Sequence, residues 1–345
     1  MIRVLIVDDS PLIQSLLTEI IGQTADMEVV ACASDPYQAR ELIKQHNPDV
    51  LTLDVEMPKM DGISFLKNLM RLRPMPVVMI STLTQQGAPI TLEALEIGAV
   101  DFVAKPTANV ADEMHSYAQM LQQKVRTAAG ANVRRHAKAS PQPSRSSADQ
   151  HIEFKLSQLI AIGASTGGTE AIKEVITRLP ANFPPVVITQ HIPPVFSKSF
   201  ATRMDSMCAM TVHEAEDGQQ IKTGNIYIAP GGEHLLLERN GGKIVCRLSS
   251  APPVNRHRPA VDVMFNSIVE QELAKRTCAV LLTGMGADGA QGLLNLRRSG
   301  AVTAAQDQAS SVVWGMPKAA IDLGAARDTV SLQECASWLI QQAKK

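Results

Sequence analysis

Apolar runs of three to six residues recur along the first third of the chain, and amphipathic stretches of helical length separate them. The runs cover residues 2–7, 29–31, 50–53, 77–80 and 101–104. The first reads as a buried strand and the others as strands, because apolar side chains dominate these short runs. Helices are expected from Pro11 to about Ile21, over 37–46, 62–70 and 90–97, and up to about Val125; proline in a first turn favours the first of these. Strands alternating with helices at this spacing predict a doubly wound parallel sheet. From about Phe154 the alternation resumes. Strands are expected over 159–162, 186–189, 279–282 and 302–305, a short strand begins at Asn225, and a hairpin turns through Asn240-Gly241-Gly242. Helices are expected over 169–179, 260–273, up to Arg298 and over 332–343. The fold class is therefore α/β, with two doubly wound, mainly parallel sheets.

Between the two patterns lies a stretch with almost no large apolar side chain, bracketed by Thr127-Ala128-Ala129-Gly130 and by Ala139-Ser140-Pro141-Gln142-Pro143-Ser144. It lacks the surface to form a core and reads as a flexible, solvated tether. The expected organisation is a first domain over 1–125, a linker over 126–153 and a second domain over 154–345. The linker's Arg134, Arg135, Lys138 and Arg145 have no aromatic residues among them for base stacking, so a nucleic-acid arm is not indicated.

Composition narrows the classes further. With 33 Lys and Arg against 34 Asp and Glu, no overall charge calls for nucleic acid or an anionic membrane surface. Five scattered cysteines, without C-x-x-C spacing, suggest reduced thiols in the cytoplasm and neither a disulfide framework nor a zinc cage. No apolar run approaches the ~18 residues of a spanning helix, and the N-terminus enters a strand at once, so neither membrane insertion nor a signal peptide is expected.

In doubly wound sheets the working residues gather beyond the carboxyl ends of the strands. In the first domain these ends carry Asp8 and Asp9, Asp54, Ser81 and Lys105. Three carboxylates brought together call for a cation, and oxygen-only ligands favour Mg²⁺ held by Asp8, Asp9 and Asp54. Asp54 can then attack a phosphoryl group, with Lys105 offsetting charge and the Ser81 hydroxyl meeting a phosphoryl oxygen. Together with Met57-Pro58, Asp61-Gly62 and Lys105-Pro106, this set resembles a flavodoxin-like response-regulator receiver. The resemblance implies phosphorylation of Asp54 by a histidine kinase.

The second domain offers a nucleophile. Gly163-Ala164-Ser165-Thr166-Gly167-Gly168 sits between a buried strand and a helix, where a tight turn would expose the Ser165 hydroxyl near free amide groups. Neither phosphate-binding glycine fingerprint is satisfied there. Two other strands end in Gln190-His191 and in Thr283-Gly284-Met285-Gly286-Ala287-Asp288-Gly289. Serine needs a base, and imidazole needs an acceptor that orients it. Ser165 as nucleophile, His191 as base and Asp288 as orienting acid supply that division of labour, with the Met285 amide facing an oxyanion. The order Ser, His, Asp differs from that of the α/β-hydrolases. His213, His234 and His257 compete for the role of base.

These blocks, with Arg258-Pro259-Ala260-Val261-Asp262 and Gly315-Met316-Pro317, resemble the effector domain of the chemotaxis receptor methylesterases, and the receiver ahead of them extends that likeness to the whole chain. The resemblance implies hydrolysis of γ-glutamyl methyl esters on methyl-accepting chemoreceptors and deamidation of receptor glutamines, by the triad Ser165, His191 and Asp288 without a cofactor. It places Thr166 and Met285 beside the reacting carbonyl. Ile192 and Ala287 stand where relatives often carry Met and Asn, which implies small changes in the pocket. An unphosphorylated receiver is expected to obstruct the Ser165 edge. Two rivals remain: a non-enzymatic regulator with a DNA-binding output, and a metal-dependent hydrolase built on His191 and His257.

Overall fold

The computed structural model describes residues 1–57, 60–81, 87–105, 114–133, 153–155 and 157–345. Its contacts divide the chain into two compact units, Met1–Pro141 and Gln142–Lys345.

The first unit runs β1 (Ile2–Val7), α1 (Pro11–Gly22), β2 (Met27–Ala33), α2 (Pro36–His46), β3 (Val50–Asp54), α3 (Gly62–Leu72), β4 (Val77–Ser81), α4 (Ala88–Ile97), β5 (Asp101–Ala104) and α5 (Met114–Ala129). The strands lie in the order β2-β1-β3-β4-β5, and every pairing is parallel. β3 and β4 are buried at all positions, as expected of strands covered on both faces. Helix starts follow local chemistry. Ser10 accepts from the Ile13 amide, Asp35 from Tyr37 and Gln38, and Asp61 from Ser64, each meeting donors that a first turn leaves open. α5 continues one turn past the expected end at Val125: Ala128 is fully buried and Arg126 pairs with Asp26 at 2.9 Å. Residues 134–152, most of the expected linker, lie outside the described residues, as do Pro58 and Pro106 of the receiver motifs.

The second unit runs β6 (Leu159–Ala164), α6 (Gly168–Ile176), β7 (Val186–Gln190), α7 (Pro194–Asp205), β8 (Thr211–Glu214), β9 (Asn225–Ile228), β10 (His234–Asn240), β11 (Lys243–Ser249), α8 (Val261–Glu270), β12 (Thr277–Leu281), α9 (Ala290–Arg298), β13 (Val302–Gln306), α10 (Met316–Asp322), β14 (Asp328–Val330) and α11 (Leu332–Ala343). Seven strands form a parallel sheet in the order β14-β13-β12-β6-β7-β9-β8, and β10 and β11 pair apart as an antiparallel hairpin. α7, α10 and the edge strands β8 and β14 add to what the apolar pattern predicts. β6 lies between β12 and β7, so the winding reverses across it and a crevice opens at the carboxyl ends of these three strands. Beneath it, Val261, Phe265 and Ile268 on one face of α8 pack with Leu281, Leu293 and Leu296, all fully buried. Each large side chain so buried contributes about 2–3 kcal/mol from area removed from water. Among the described residues no helix is long and apolar enough to cross a membrane.

Candidate active site and receiver cluster

In the first unit the ends of β1, β3, β4 and β5 bring together the residues expected there. Asp8, Asp54 and Ser81 are at most 2% exposed, and Asp9 is exposed. Lys105 Nζ lies 2.8 Å from Asp54 Oδ2 and 3.2 Å from Asp8 Oδ2. Ligand oxygens of Asp8, Asp9 and Asp54 lie within 4.8 Å of one another. Burial, with the Asp8 charge adding to it against the Lys105 ammonium, raises the Asp54 pKa to about 6. Burial works against the Lys105 charge, yet the two carboxylates hold its pKa above the ordinary value. Among the described residues Asp8 Oδ2, which is buried, meets only the Lys105 ammonium, at the 3.2 Å of an ion pair. An all-oxygen set with an under-satisfied buried carboxylate fits Mg²⁺. The Ser81 hydroxyl meets the Thr91 hydroxyl at 3.0 Å, which fixes its direction.

In the second unit Ser165 follows β6, His191 follows β7 and Asp288 follows β12 by one loop. The Ser165 turn is built by backbone. Its amide donates to Thr283 O at 3.0 Å, and its carbonyl accepts from the Gly168 amide at 2.7 Å. Gly167 takes φ of 74°, a left-handed conformation costly for side-chain-bearing residues, and passes the chain into α6. Gly284 is demanded by proximity, since a β-carbon there would stand 2.7 Å from Ser165 Cβ. The Gly284 loop is pinned in turn: its amide donates to Val313 O, and its carbonyl accepts from the Gly315 and Met316 amides. Thr166 and Met285 thus follow directly the two residues that touch across the crevice.

The Ser165 hydroxyl meets His191 Nδ1 at 2.9 Å, and His191 Nε2 meets Asp288 Oδ2 at 2.7 Å. All three side chains are largely buried, Asp288 at 2% exposed and Ser165 at 9%. Asp288 Oδ2 also accepts from the Val261 amide at 2.6 Å, and Oδ1 accepts from the Asp262 amide at 3.1 Å and from Asn255 Nδ2 at 2.8 Å. Burial alone would raise the Asp288 pKa. The donors, His191 foremost with Asn255 and Val261 behind it, outweigh burial and bring it to about 2. Asp288 therefore stays an anion facing the imidazole. Gln190 Nε2 donates to the Ser165 and His191 carbonyls at 2.9 and 3.1 Å, joining the two loops.

The competing histidines separate clearly. His213 meets Asn225 Oδ1 and stacks on Tyr227, while His234 is buried between Pro252 O and the Ala260 amide. His257 does reach the site, where it stacks on His191 with ring centroids 3.6 Å apart and planes 7° from parallel. Ligand atoms of His191, His257 and Asp288 lie within 4.8 Å of one another. In-plane lone pairs on two parallel rings do not converge on one ion, and both His191 nitrogens are already engaged, which counts against the metal-hydrolase reading. The DNA-binding rival meets a parallel sheet and a last helix, α11, whose Leu332, Cys335, Ala336 and Leu339 are spent on packing. Sequence reasoning gave no role to Asn255, Gln190 or the Val261 amide. The only trace of the last was its place in the Arg258-to-Asp262 block.

Comparison with known proteins gives a family for each unit. Residues 160–339 match the family described as CheB methylesterase, and residues 4–119 match the response regulator receiver domain. The chain belongs to the CheB methylesterase family. A protein-glutamate methylesterase/protein-glutamine glutaminase of Burkholderia lata is 56% identical over 96% of this chain and 93% of its own length. One from Pseudomonas aeruginosa is 52% identical over 100% of this chain and 97% of its own. Among solved structures, the CheB methylesterase catalytic domain of Thermotoga maritima covers 54% of this chain and 98% of its own, with 41% identity and a TM-score of 0.53. The methylesterase match spans all three strand ends that carry Ser165, His191 and Asp288, and the receiver match spans Asp8 through Lys105.

Proposed function

We propose that this chain is a phosphorylation-activated serine hydrolase that removes methyl groups from γ-glutamyl methyl esters of chemoreceptors, and deamidates receptor glutamines, in chemotaxis adaptation. The observation that carries the reading is the unbroken path from the Ser165 hydroxyl through His191 to Asp288, at 2.9 and 2.7 Å. With Nε2 donating to Asp288, Nδ1 presents its lone pair to the serine. Ser165 Oγ attacks the γ-carbonyl as His191 Nδ1 takes its proton, and the carbonyl oxygen becomes an oxyanion beside the Thr166 and Met285 amides. The C–O bond to methoxide then breaks, the proton passes from His191 to the leaving group, and methanol departs from an acyl-enzyme. Water, deprotonated by the same nitrogen, hydrolyses that ester to free glutamate. A glutamine substrate follows the same path with ammonia leaving. No step of this sequence calls for a cofactor.

For the receiver, Asp54 accepts the phosphoryl group of a histidine kinase's phosphohistidine as the P–N bond breaks, while Lys105 and Ser81 meet the phosphoryl oxygens. Asp8, Asp9 and Asp54 would hold Mg²⁺, which when bound offsets charge on the transferring group. The five free thiols accord with work in a reducing cytoplasm. The test is methanol release from a methylated receptor. Wild-type protein should release methanol faster after treatment with acetyl phosphate and Mg²⁺, and a serine-directed phosphonate should label Ser165 and stop release. Activity that survives complete labelling, or persists in Ser165→Ala, would overturn the reading.

A further inference from the structure

The segment between β11 and α8 contains a tight turn that the catalytic reading leaves without a task. Val254 and His257 exchange backbone hydrogen bonds at 3.0 and 2.9 Å, so Asn255 and Arg256 form a two-residue hairpin loop. Both take left-handed backbone conformations, with φ of 51° and 65°. That pairing is the geometry of a type I′ turn, and asparagine tolerates its first position better than most residues. The cost of a left-handed arginine is sustained only where the surroundings enforce it.

The turn aims two side chains at the triad. Asn255 Nδ2 donates to Asp288 Oδ1 at 2.8 Å and to Asp262 Oδ2 at 2.9 Å, one amide hydrogen for each carboxylate. Asp262 is itself buried, and its other oxygen accepts from the Gly292 amide at 2.6 Å. Two carboxylates therefore share one neutral bridge. Without it, Asp288 would lose a donor on the oxygen that His191 does not use, and would face the Asp262 charge directly. Two residues further on, the His257 ring covers one face of His191 at 3.6 Å, nearly parallel. A stacked plane blocks tilting of the base while leaving both of its nitrogens in line with their partners.

We infer that the Val254–His257 turn is the positioning element of this active site, with Asn255 fixing the Asp288 carboxylate and His257 fixing the plane of His191. The inference rests on the triad reading above. Neither side chain touches the reacting carbonyl; both act through another residue.

The experiment uses the full-length protein, acetyl phosphate, Mg²⁺ and methanol release from a methylated receptor. Asn255→Gly removes the amide but accepts the left-handed backbone, so the turn is retained. It should lower kcat by about tenfold to a hundredfold with KM little changed, the scale expected of a misplaced catalytic group. In an Asp288→Ala background the same change should cost less than about twofold, because the residue it acts through is gone. His257→Ala should lower kcat by about tenfold, and His257→Phe, which keeps a flat ring, should recover to within about threefold of wild type. Wild-type kcat in Asn255→Gly, losses that simply add to those of Asp288→Ala, or equal rates for His257→Phe and His257→Ala would overturn the inference. Persistent activity in Ser165→Ala would instead strike the triad reading itself.

Discussion

Each unit sets an aspartate at the carboxyl edge of a parallel sheet, and the two are driven in opposite directions. Asp54 is buried beside Asp8, and its pKa rises to about 6 although Lys105 stands 2.8 Å away. Asp288 is just as buried, yet its pKa falls to about 2, because His191, Asn255 and the Val261 amide all donate to it. Burial is common to both, and the neighbours decide the sign. A carboxylate among carboxylates is poised to take up positive charge or a phosphoryl group. A carboxylate ringed by donors is a fixed anion, suited to holding an imidazole and stabilising its cation.

The most forceful way to break this contrast is Asp288→Asn. The side chain keeps its shape but loses its charge, and its amide presents a donor where His191 needs an acceptor. By the precedent of serine proteases, kcat should fall by about 10⁴-fold. Binding of the methylated receptor should change little, so the loss is expected in kcat and not in KM, measured by methanol release. A drop below about tenfold would mean that Asp288 orients nothing.

How much of this contrast could be read from the residues alone is instructive. Asp54, Lys105, Ser165, His191 and Asp288 each follow an apolar run that reads plainly as a buried strand, and parallel winding puts strand ends on one edge. Their convergence therefore follows from local pattern plus one topological rule. The elements that escaped carry weaker patterns. α7 opens on Pro193-Pro194 with mixed polar residues, although Phe196, Phe200 and Met204 recur at four-residue spacing and are buried. β8 and β14 are edge strands of four and three residues, too short to show alternation. The roles of Asn255 and of the Val261 amide depend on contacts 33 and 27 residues away along the chain, which no local periodicity records. α5 outlasts its expected end because Ala128, small enough to pass for linker, is fully buried.

A smaller effect tests the low pKa of Asp288 as a matter of stability. Its folded value, about 2, lies below the reference 3.8. The stabilisation it brings is thus complete above about pH 4 and is lost as the pH falls toward 2. The shift is equivalent to about 2 kcal/mol. Acid unfolding of the second unit, followed between pH 5 and pH 2, should show a steeper loss of stability in wild type than in Asp288→Asn. Parallel curves would mean that the donors around Asp288 do not favour its charged form.

The smallest effect has the opposite sign and belongs to the receiver. The folded pKa of Asp54, about 6, lies above the reference 3.8, so the native state bears a penalty that is absent below about pH 4 and complete above about pH 6. Asp54→Asn removes that penalty at the cost of one Lys105 partner. The variant's first unit should therefore be more stable than wild type at pH 7 by about 1–2 kcal/mol, with the difference vanishing toward pH 4. Added Mg²⁺ should narrow the gap from the wild-type side, since three converging carboxylates gain from a divalent ion what Asp288 gains from its donors. Urea unfolding of the two proteins at pH 4 and pH 7, with and without Mg²⁺, reads all of these terms. If Asp54→Asn were the less stable protein at pH 7, Lys105 would already compensate the cluster fully, and the two aspartates would differ far less than their surroundings suggest.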